Sequence, residues 1–197
     1  MTPEALLFDL DGVLVESDEV WFRVLNGVAE ELGYPAISRE EFLAANGQGI
    51  EADIECWYPA HSVETIEGLY AQHFPRNLEH GAPMQGVPEL FAELRERAIP
   101  TAVVTNTPNP IATWVVRHVG ATPDHVVGGT DVPRSKPSPD IVLEACRRLS
   151  VTAGAAWLLG DSSYDKEAAE AAGARFVGFR MDGDARIEQL MDLLDLL

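Results

Sequence analysis

The sequence contains very little lysine. Only two of its 14 basic residues are lysines, Lys136 and Lys166, against 32 aspartates and glutamates, and the formal net charge is −18. Nucleic-acid backbones and anionic membrane surfaces are bound by clustered cations, so this composition argues against both as partners. An acidic, lysine-poor chain also suits a protein that stays hydrated in concentrated salt, although a GC-rich coding bias would remove lysine as well.

Long apolar runs are missing too. No segment approaches the roughly 20 consecutive apolar residues that cross a bilayer, and no signal-peptide pattern, a basic segment before a long apolar stretch, stands near the N-terminus. The only two cysteines, Cys56 and Cys146, lack the spacing of a metal or redox motif. We predict that both are buried as small hydrophobic residues in a reducing compartment, and that the protein is cytoplasmic.

What the sequence does contain is ample material for a core. The chain has 197 residues, of which 46% are hydrophobic, and this argues against a disordered chain. Apolar positions recur at helical spacing within residues 17–84, whereas elsewhere apolar strands alternate with helices. We predict an α/β fold in which residues 1–16 and 85–197 form a Rossmann-like parallel-sheet core, with helices on both faces, and residues 17–84 form an inserted all-helical domain.

The core is predicted to contain about five strands. They are EALLFD at the N-terminus and then TAVVT, HVVGG, AAWLLG and RFVGF, and the later segment ARIEQLMDLL has the spacing of a helix. In the inserted domain, Ser17 or Asp18 is predicted to cap the first helix. Open parallel sheets bind ligands at the carboxyl ends of their strands, so the residues just after each strand are the candidate site.

Acidic residues follow two of these strands. Asp9 and Asp11 leave the first strand, with Gly12 permitting a sharp turn, and Asp161 and Asp165 follow AAWLLG, four residues apart. Turn formation and helix capping would each explain one pair alone. Acids delivered to one sheet edge repel each other, however, and a cation or proton must offset that repulsion. Mg²⁺ prefers one or two carboxylates together with water and phosphate.

Two further positions fit an anion. Thr105 and Asn106 stand at the end of the strand TAVVT and offer a hydroxyl and an amide to an anionic oxygen, or simply cap the next helix. Lys136 precedes Pro137, which favours extended geometry beside a helix start. Together these groups indicate magnesium-dependent chemistry at a phosphoryl group, in which the acids hold the metal while Lys136 and Thr105 neutralise and orient the phosphate.

The four motifs together resemble those of the haloacid dehalogenase superfamily of phosphatases and phosphomutases, in the helical-cap branch that includes phosphoglycolate phosphatases and β-phosphoglucomutases. They occur in order as DLDGV at 9–13, VVTN at 103–106, the lysine of SKPSPD, and GDSSYD at 160–165. The resemblance covers nearly the whole chain. It implies that residues 17–84 are a cap domain over a catalytic core.

The resemblance also implies a role for each acid. Asp9 would be the nucleophile that forms an aspartyl-phosphate, and Asp11 would protonate the leaving alkoxide and then activate water. The implied magnesium ligands are the Asp9 carboxylate, the Asp11 backbone carbonyl, Asp161 and, directly or through water, Asp165.

The remaining motif residues would bind the substrate phosphate. By the same resemblance, Thr105 and the Asn106 amide would bind phosphoryl oxygens, and Lys136 would offset the charge of nucleophile and phosphate. The expected substrate is a small phosphate monoester, with 2-phosphoglycolate as one candidate. Thr107 stands where phosphoglycolate phosphatases carry the lysine of TNKP, which weakens that assignment. The sequence leaves the oligomeric state open between monomer and dimer.

Other chemistries of the superfamily fit less well. Dehalogenases generally lack the second aspartate, here Asp11, and phosphonoacetaldehyde-cleaving relatives use a cap lysine, whereas residues 17–85 contain none. Sugar-phosphate mutases usually have a histidine where this chain has Trp21, and an arginine in the cap loop, which is absent from residues 46–51. We therefore predict a Mg²⁺-dependent phosphatase, with a sugar-phosphate mutase or a catalytically silent binding protein as the alternatives.

Overall fold

A computed structural model describes residues 2–45 and 47–197, so Asn46 of the predicted cap loop lies outside the described residues. The strands are β1 (Ala5–Phe8), β2 (Val15–Glu16), β3 (Ala82–Pro83), β4 (Thr101–Val104), β5 (His125–Val127), β6 (Ala156–Gly160), β7 (Arg175–Phe179) and β8 (Ala185–Ile187). The α-helices are α1 (Asp18–Leu32), α2 (Arg39–Ala45), α3 (Ile50–Trp57), α4 (Val63–Asn77), α5 (Val87–Glu96), α6 (Asn109–His118), α7 (Asp140–Leu149) and α8 (Ser163–Ala172).

Six strands form one parallel sheet in the order β5-β4-β1-β6-β7-β8. All four residues of the central strand β1 are buried, as expected for a parallel strand covered on both faces. Leu7 packs into one apolar cluster with Ile141, while Phe8 packs into the other with Phe91. The predicted α/β Rossmann-like core is confirmed, and helices pack on both faces of its sheet.

Helices α1 to α4 are inserted between β2 and β3. These two short strands pair antiparallel, with Val15 opposite Pro83, so the chain leaves and re-enters the core at one point. Within the insertion, the ring of Trp21 on α1 packs edge-on against Tyr70 and Phe74 on α4, at centroid distances of 5.5 and 5.0 Å. These contacts belong to an apolar cluster that continues from the insertion into the α/β core, where it includes Phe8 and Phe91.

The C-terminal segment differs from its prediction. Residues from Ala185 onward, predicted as a helix, form strand β8 and the 3₁₀ helix Leu190–Leu196, so the sheet has six strands rather than five. The Asp192 carboxylate accepts hydrogen bonds from the backbone N–H groups of Glu188 and Gln189, which ends the strand. Pairing along the edge of β7 outweighs the local helical pattern here, because it satisfies backbone groups that an open edge leaves unpaired.

One cysteine also differs from its prediction. Cys146 is buried, but Cys56 is exposed. Cys56 lies on the short helix α3, whose buried positions are Ile50 and Asp53, and it falls outside that face. Among the helices that the structure describes, none is long and apolar enough to cross a membrane.

Candidate active site

A cavity of about 430 Å³ lies between the carboxyl edge of the sheet and the inserted helices. It is lined by predicted site residues from all four motifs: Asp9, Asp11, Thr105, Asn106, Lys136 and Asp161. Asp165, the remaining predicted residue, is fully buried behind this surface. The structure thus brings together residues that are up to 156 positions apart in the chain, between Asp9 and Asp165.

Lys136 is at the centre of the site. Its buried ammonium donates to Asp9 Oδ1 and to Asp165 Oδ1, both at 2.6 Å, and to the Val104 carbonyl at 3.1 Å. Asn106 holds the lysine backbone on both sides, because its side chain accepts from Lys136 N–H at 2.8 Å and donates to the Lys136 carbonyl at 2.9 Å. The lysine is therefore fixed beside the predicted nucleophile before any substrate binds.

The acids outnumber the cations in this site. Burial raises the pKa of Asp9 well above its ordinary value, and the neighbouring Asp165 raises it further while Lys136 lowers it. Burial and then Asp165 likewise raise the pKa of Asp161 to about 7. Burial alone would lower the pKa of Lys136, but Asp165 and Asp9 outweigh this and raise it. One ammonium does not compensate these carboxylates, so the site favours an additional positive charge.

The acidic cluster fits a hard divalent cation. One carboxylate oxygen from each of Asp9, Asp161 and Asp165 lies within 4.8 Å of the others. An all-oxygen set of this kind suits Mg²⁺ or Ca²⁺ rather than a softer metal. Asp165 Oδ2 also accepts from the Ser162 hydroxyl at 2.5 Å, and Asp161 is the member that opens toward solvent. The residues present therefore fit a metal ion, with Asp9 and Asp161 facing the cavity.

Gly12 makes room for this cluster. Its φ of +77° is one that side chains other than glycine rarely adopt, and a Cβ placed there would lie 2.0 Å from Asp161 Oδ2. The turn after β1 therefore needs glycine for two reasons, its conformation and the closeness of Asp161.

Asp11 does not contact Lys136 and has its own set of donors. Its Oδ1 accepts from the Ser17 hydroxyl at 2.5 Å and from the Trp21 indole N–H at 2.9 Å. Its Oδ2 accepts from the hydroxyls of Thr107 at 2.7 Å and Thr105 at 3.4 Å. Donors from the inserted helices and from the core thus fix the carboxylate of the predicted general acid.

Most of these donors have no role that the sequence alone predicts. Ser17 was predicted as a candidate helix cap, yet its side chain makes no capping hydrogen bond and donates to Asp11 instead. Trp21 and Thr107 stood out only as departures from the residues usual in related enzymes. These departures were the only sequence feature that pointed to the two positions, and both side chains donate hydrogen bonds to Asp11.

The inserted helices contact the core beside this site. Asn106 donates its second amide hydrogen bond to the Gly47 carbonyl of the cap loop at 2.8 Å, and the Thr130 hydroxyl donates to Glu67 at 3.2 Å. Asn106 therefore links the cap loop and Lys136 through one side chain. Its predicted contact with phosphoryl oxygens stays a prediction.

A polar group on the cap side was not anticipated from the sequence. Asp53 on α3 is buried in the cavity wall, where its Oδ1 accepts from Gln48 Nε2 at 2.7 Å and its Oδ2 from the Tyr70 hydroxyl at 2.9 Å. Burial raises the pKa of Asp53 to about 6, although both hydrogen bonds lower it. The inserted helices therefore present a carboxylate to the cavity.

The fold and the site together define a hydrolase of the Rossmann-like class, with helices inserted over an acidic, lysine-bearing pocket. The chain belongs to the family of haloacid dehalogenase-like hydrolases, whose model matches residues 6–179. The resemblance identified from the motifs is thereby confirmed.

Phosphatases are among the similar proteins. The chain is 32% identical over 183 residues to a phosphoglycolate phosphatase of Rhodobacter capsulatus, covering 88% of this chain and 82% of that protein. It is 27% identical over 194 residues to an N-acetylmuramic acid 6-phosphate phosphatase of Pseudomonas aeruginosa, covering 91% of this chain and 83% of that one. The crystal structure of CbbY from Rhodobacter sphaeroides in complex with phosphate matches with a TM-score of 0.83 at 29% identity, covering 98% of this chain and 96% of that one. The prediction of a phosphoric monoester hydrolase is confirmed.

Proposed function

We propose that this protein is a Mg²⁺-dependent phosphatase that hydrolyses a small phosphate monoester through an aspartyl-phosphate. The observation that carries the proposal is the Asp9 carboxylate, which lines the cavity, lies 2.6 Å from the Lys136 ammonium and shares an acidic cluster with Asp161. A carboxylate in this setting is positioned to attack phosphorus, because lysine and metal offset the charge that otherwise repels a phosphate dianion.

Two displacements would complete the reaction. An Asp9 oxygen attacks phosphorus and the bond from phosphorus to the leaving oxygen breaks, while Asp11 gives that oxygen its proton. Asp11 then takes a proton from water, the water oxygen attacks phosphorus, and the bond to Asp9 breaks to release inorganic phosphate. When bound, Mg²⁺ supplies positive charge to the phosphoryl oxygens, and Asp9, Asp161 and Asp165, with the Asp11 carbonyl, are the residues we propose to hold it.

The substrate phosphate would bind between the core residues. Thr105, the Asn106 backbone N–H and Lys136 are the proposed phosphoryl contacts, since all three residues line the cavity and both side-chain N–H groups of Asn106 already donate, to Gly47 and Lys136. We also propose that residues 17–84 act as a cap domain over a catalytic core of residues 1–16 and 85–197. Support comes from the paired strands β2 and β3, which are the two crossings between these parts.

Phosphate release from p-nitrophenyl phosphate tests the proposal. Turnover should require added Mg²⁺ and stop with a chelator, and Asp9→Asn should lower kcat by at least about 1,000-fold, because the amide is a poor nucleophile. The matched control is Asp182→Asn, which removes an equal charge from a side chain that is 94% exposed and paired with Arg186. Wild-type rates in Asp9→Asn, or metal-independent turnover, would contradict the mechanism.

The two alternatives predict other outcomes. A sugar-phosphate mutase would accumulate an isomeric sugar phosphate instead of releasing phosphate. A catalytically silent binding protein would hydrolyse no ester, while its Asp9→Asn variant would still bind partners normally. The hydrogen bond from Trp21, rather than from a histidine, to Asp11 favours simple hydrolysis over the mutase.

A further inference from the structure

The charges around the cavity are divided unevenly between its two sides. Among the described residues that line it, Lys136 is the only cation, and it already bonds Asp9 and Asp165 on the core side. The lining residues of the cap side include two acids, Asp18 and Asp53, and no lysine or arginine. The part of a substrate that points away from phosphorus therefore meets negative charge.

The arginines of the first cap helices are engaged elsewhere. Arg23 lies 2.7 Å from Glu19 in an ion pair, and Arg39 pairs with the same glutamate while its guanidinium lies over the ring of Phe22. Neither arginine lines the cavity. A carboxylate or second phosphate on the leaving group would therefore find no cationic partner among the described lining residues of the cap.

Asp53 is placed as a hydrogen-bond acceptor. It is 9% exposed and fixed by Gln48 and Tyr70, and its pKa of about 6 leaves it ionised at pH 7.5. Each carboxylate oxygen has a second lone pair beyond the one used by these donors. A hydroxyl needs only one of these two free lone pairs for its single donor. An ammonium presents three donors, so at least one of them would find no partner on Asp53. The Trp57 ring beside it in the lining offers an apolar face for a carbon skeleton.

We infer that the enzyme selects phosphate esters whose leaving alcohol is uncharged and carries a further hydroxyl, with Asp53 as the acceptor for that hydroxyl, and that it discriminates against leaving groups bearing a carboxylate or a second phosphate. This inference rests on the proposed phosphatase function. It makes the neutral sugar-phosphate or polyol-phosphate class, rather than 2-phosphoglycolate, the preferred substrate class.

A matched substrate pair tests the inference on the wild-type enzyme. The esters 2-hydroxyethyl phosphate and 2-phosphoglycolate differ only in a terminal hydroxymethyl or carboxylate, and sorbitol 6-phosphate and 6-phosphogluconate form a second such pair. In each pair, we expect kcat/KM to be at least about tenfold higher for the ester with the terminal hydroxymethyl group than for the ester with the carboxylate. Equal rates, or preference for the carboxylate, would overturn the inference, as would a preference for phosphoethanolamine, whose leaving group is cationic.

Variants of helix α3 test whether Asp53 is the residue that distinguishes the two kinds of ester. Asp53→Asn should lower kcat/KM for 2-hydroxyethyl phosphate relative to p-nitrophenyl phosphate by about tenfold, mainly through KM, and should narrow the gap to 2-phosphoglycolate. The control Glu55→Gln removes an exposed acid from the same helix and should leave these ratios unchanged. Unchanged ratios in a folded Asp53→Asn variant would overturn the role of Asp53. Turnover of p-nitrophenyl phosphate with a preference for 2-phosphoglycolate would overturn this inference alone, whereas no turnover of any ester would overturn the proposed function as well.

Discussion

At the scale of single residues, Asp11 depends on neighbours from two parts of the molecule. Ser17 immediately precedes the first inserted helix and Trp21 lies within it, whereas Thr107 follows strand β4 of the core. A general acid must point at the leaving oxygen to transfer its proton. In the mechanism that we propose, these donors therefore affect the rate by orienting Asp11, although only Asp11 exchanges the proton.

Thr107→Val should slow the reaction by about tenfold in kcat, because it removes the 2.7 Å hydrogen bond to Asp11 at nearly constant volume. The loss should be larger for an alkyl phosphate than for p-nitrophenyl phosphate, whose leaving group needs less protonation. Steady-state kinetics with both esters measures this. Thr113→Val, which removes a hydroxyl that donates to Asn109 at 2.7 Å, serves as the control. Equal losses for the two esters would argue against a role in positioning the acid.

Asp53 should also leave a signature in the pH dependence of stability. Burial raises its pKa from 3.8 to about 6, so between these values the folded state holds a proton that the unfolded state has released. The free energy of unfolding therefore falls as pH rises through this window.

Asp53→Asn should remove that dependence. Relative to the variant, wild type should lose up to about 3 kcal/mol between pH 4 and pH 7, measured by urea unfolding at several pH values. Glu55→Gln, which changes an exposed acid on the same helix, should follow the wild-type profile. A constant difference between wild type and Asp53→Asn across this range would contradict the assignment.

At the scale of elements, the turn after β1 joins conformation and chemistry. Gly12→Ala should lower both activity and Mg²⁺ affinity, because the new Cβ would lie 2.0 Å from Asp161 Oδ2 and must displace it. Gly33→Ala is a matched control, since Gly33 has a similar φ of +76° at the end of α1 with nothing within 4 Å of a Cβ. It should cost about 1 kcal/mol of stability and leave kinetics unchanged. Metal titration and turnover are measured for both variants, because backbone strain at positive φ is common to the two whereas displacement of Asp161 occurs only in Gly12→Ala. Equal kinetics and equal Mg²⁺ affinity in the two variants would contradict the role of Gly12.

The elements also show where local patterns suffice. The strands around the site were predictable because each is a short apolar run that ends in polar residues, as in β1 before Asp9 and β6 before Asp161. Helix α3 was not predicted as a separate segment, although the inserted domain was predicted to be all-helical, because one of the two buried residues on its eight-residue length is an aspartate, Asp53, rather than an apolar residue. Strand β8 was predicted as part of a helix, because pairing with β7 is a long-range interaction that no local window contains.

At the scale of the whole molecule, the inserted helices and the α/β core meet at the site. Asn106, which lines the cavity, donates to the Gly47 carbonyl at 2.8 Å, and the Phe74 and Trp114 rings lie edge-on with their centroids 6.2 Å apart. The chain crosses between the two parts only at β2 and β3. Such an arrangement allows the cap to open for substrate and close to limit bulk water.

We expect the segments near 14–17 and 80–86 to act as this hinge. Small-angle X-ray scattering should show a smaller radius of gyration when Mg²⁺ and orthovanadate, a phosphate mimic, are added together, because the ligand favours the closed arrangement. Mg²⁺ alone is the control for a general ionic effect on this acidic protein. Superimposable profiles with and without vanadate would contradict hinge closure.

The sequence by itself determined the fold class, the acids at the strand ends and the lysine that joins them. These follow from short apolar runs ending in Asp9, Thr105 and Asp161, because parallel strands deliver their carboxyl ends to one edge. Only the tertiary structure decided that Thr107 and Trp21 contact Asp11 and that Asp53 faces the cavity. Those contacts depend on how α1, α3 and α4 pack over the sheet, and packing of segments far apart in the chain leaves no signal in the local pattern of residues.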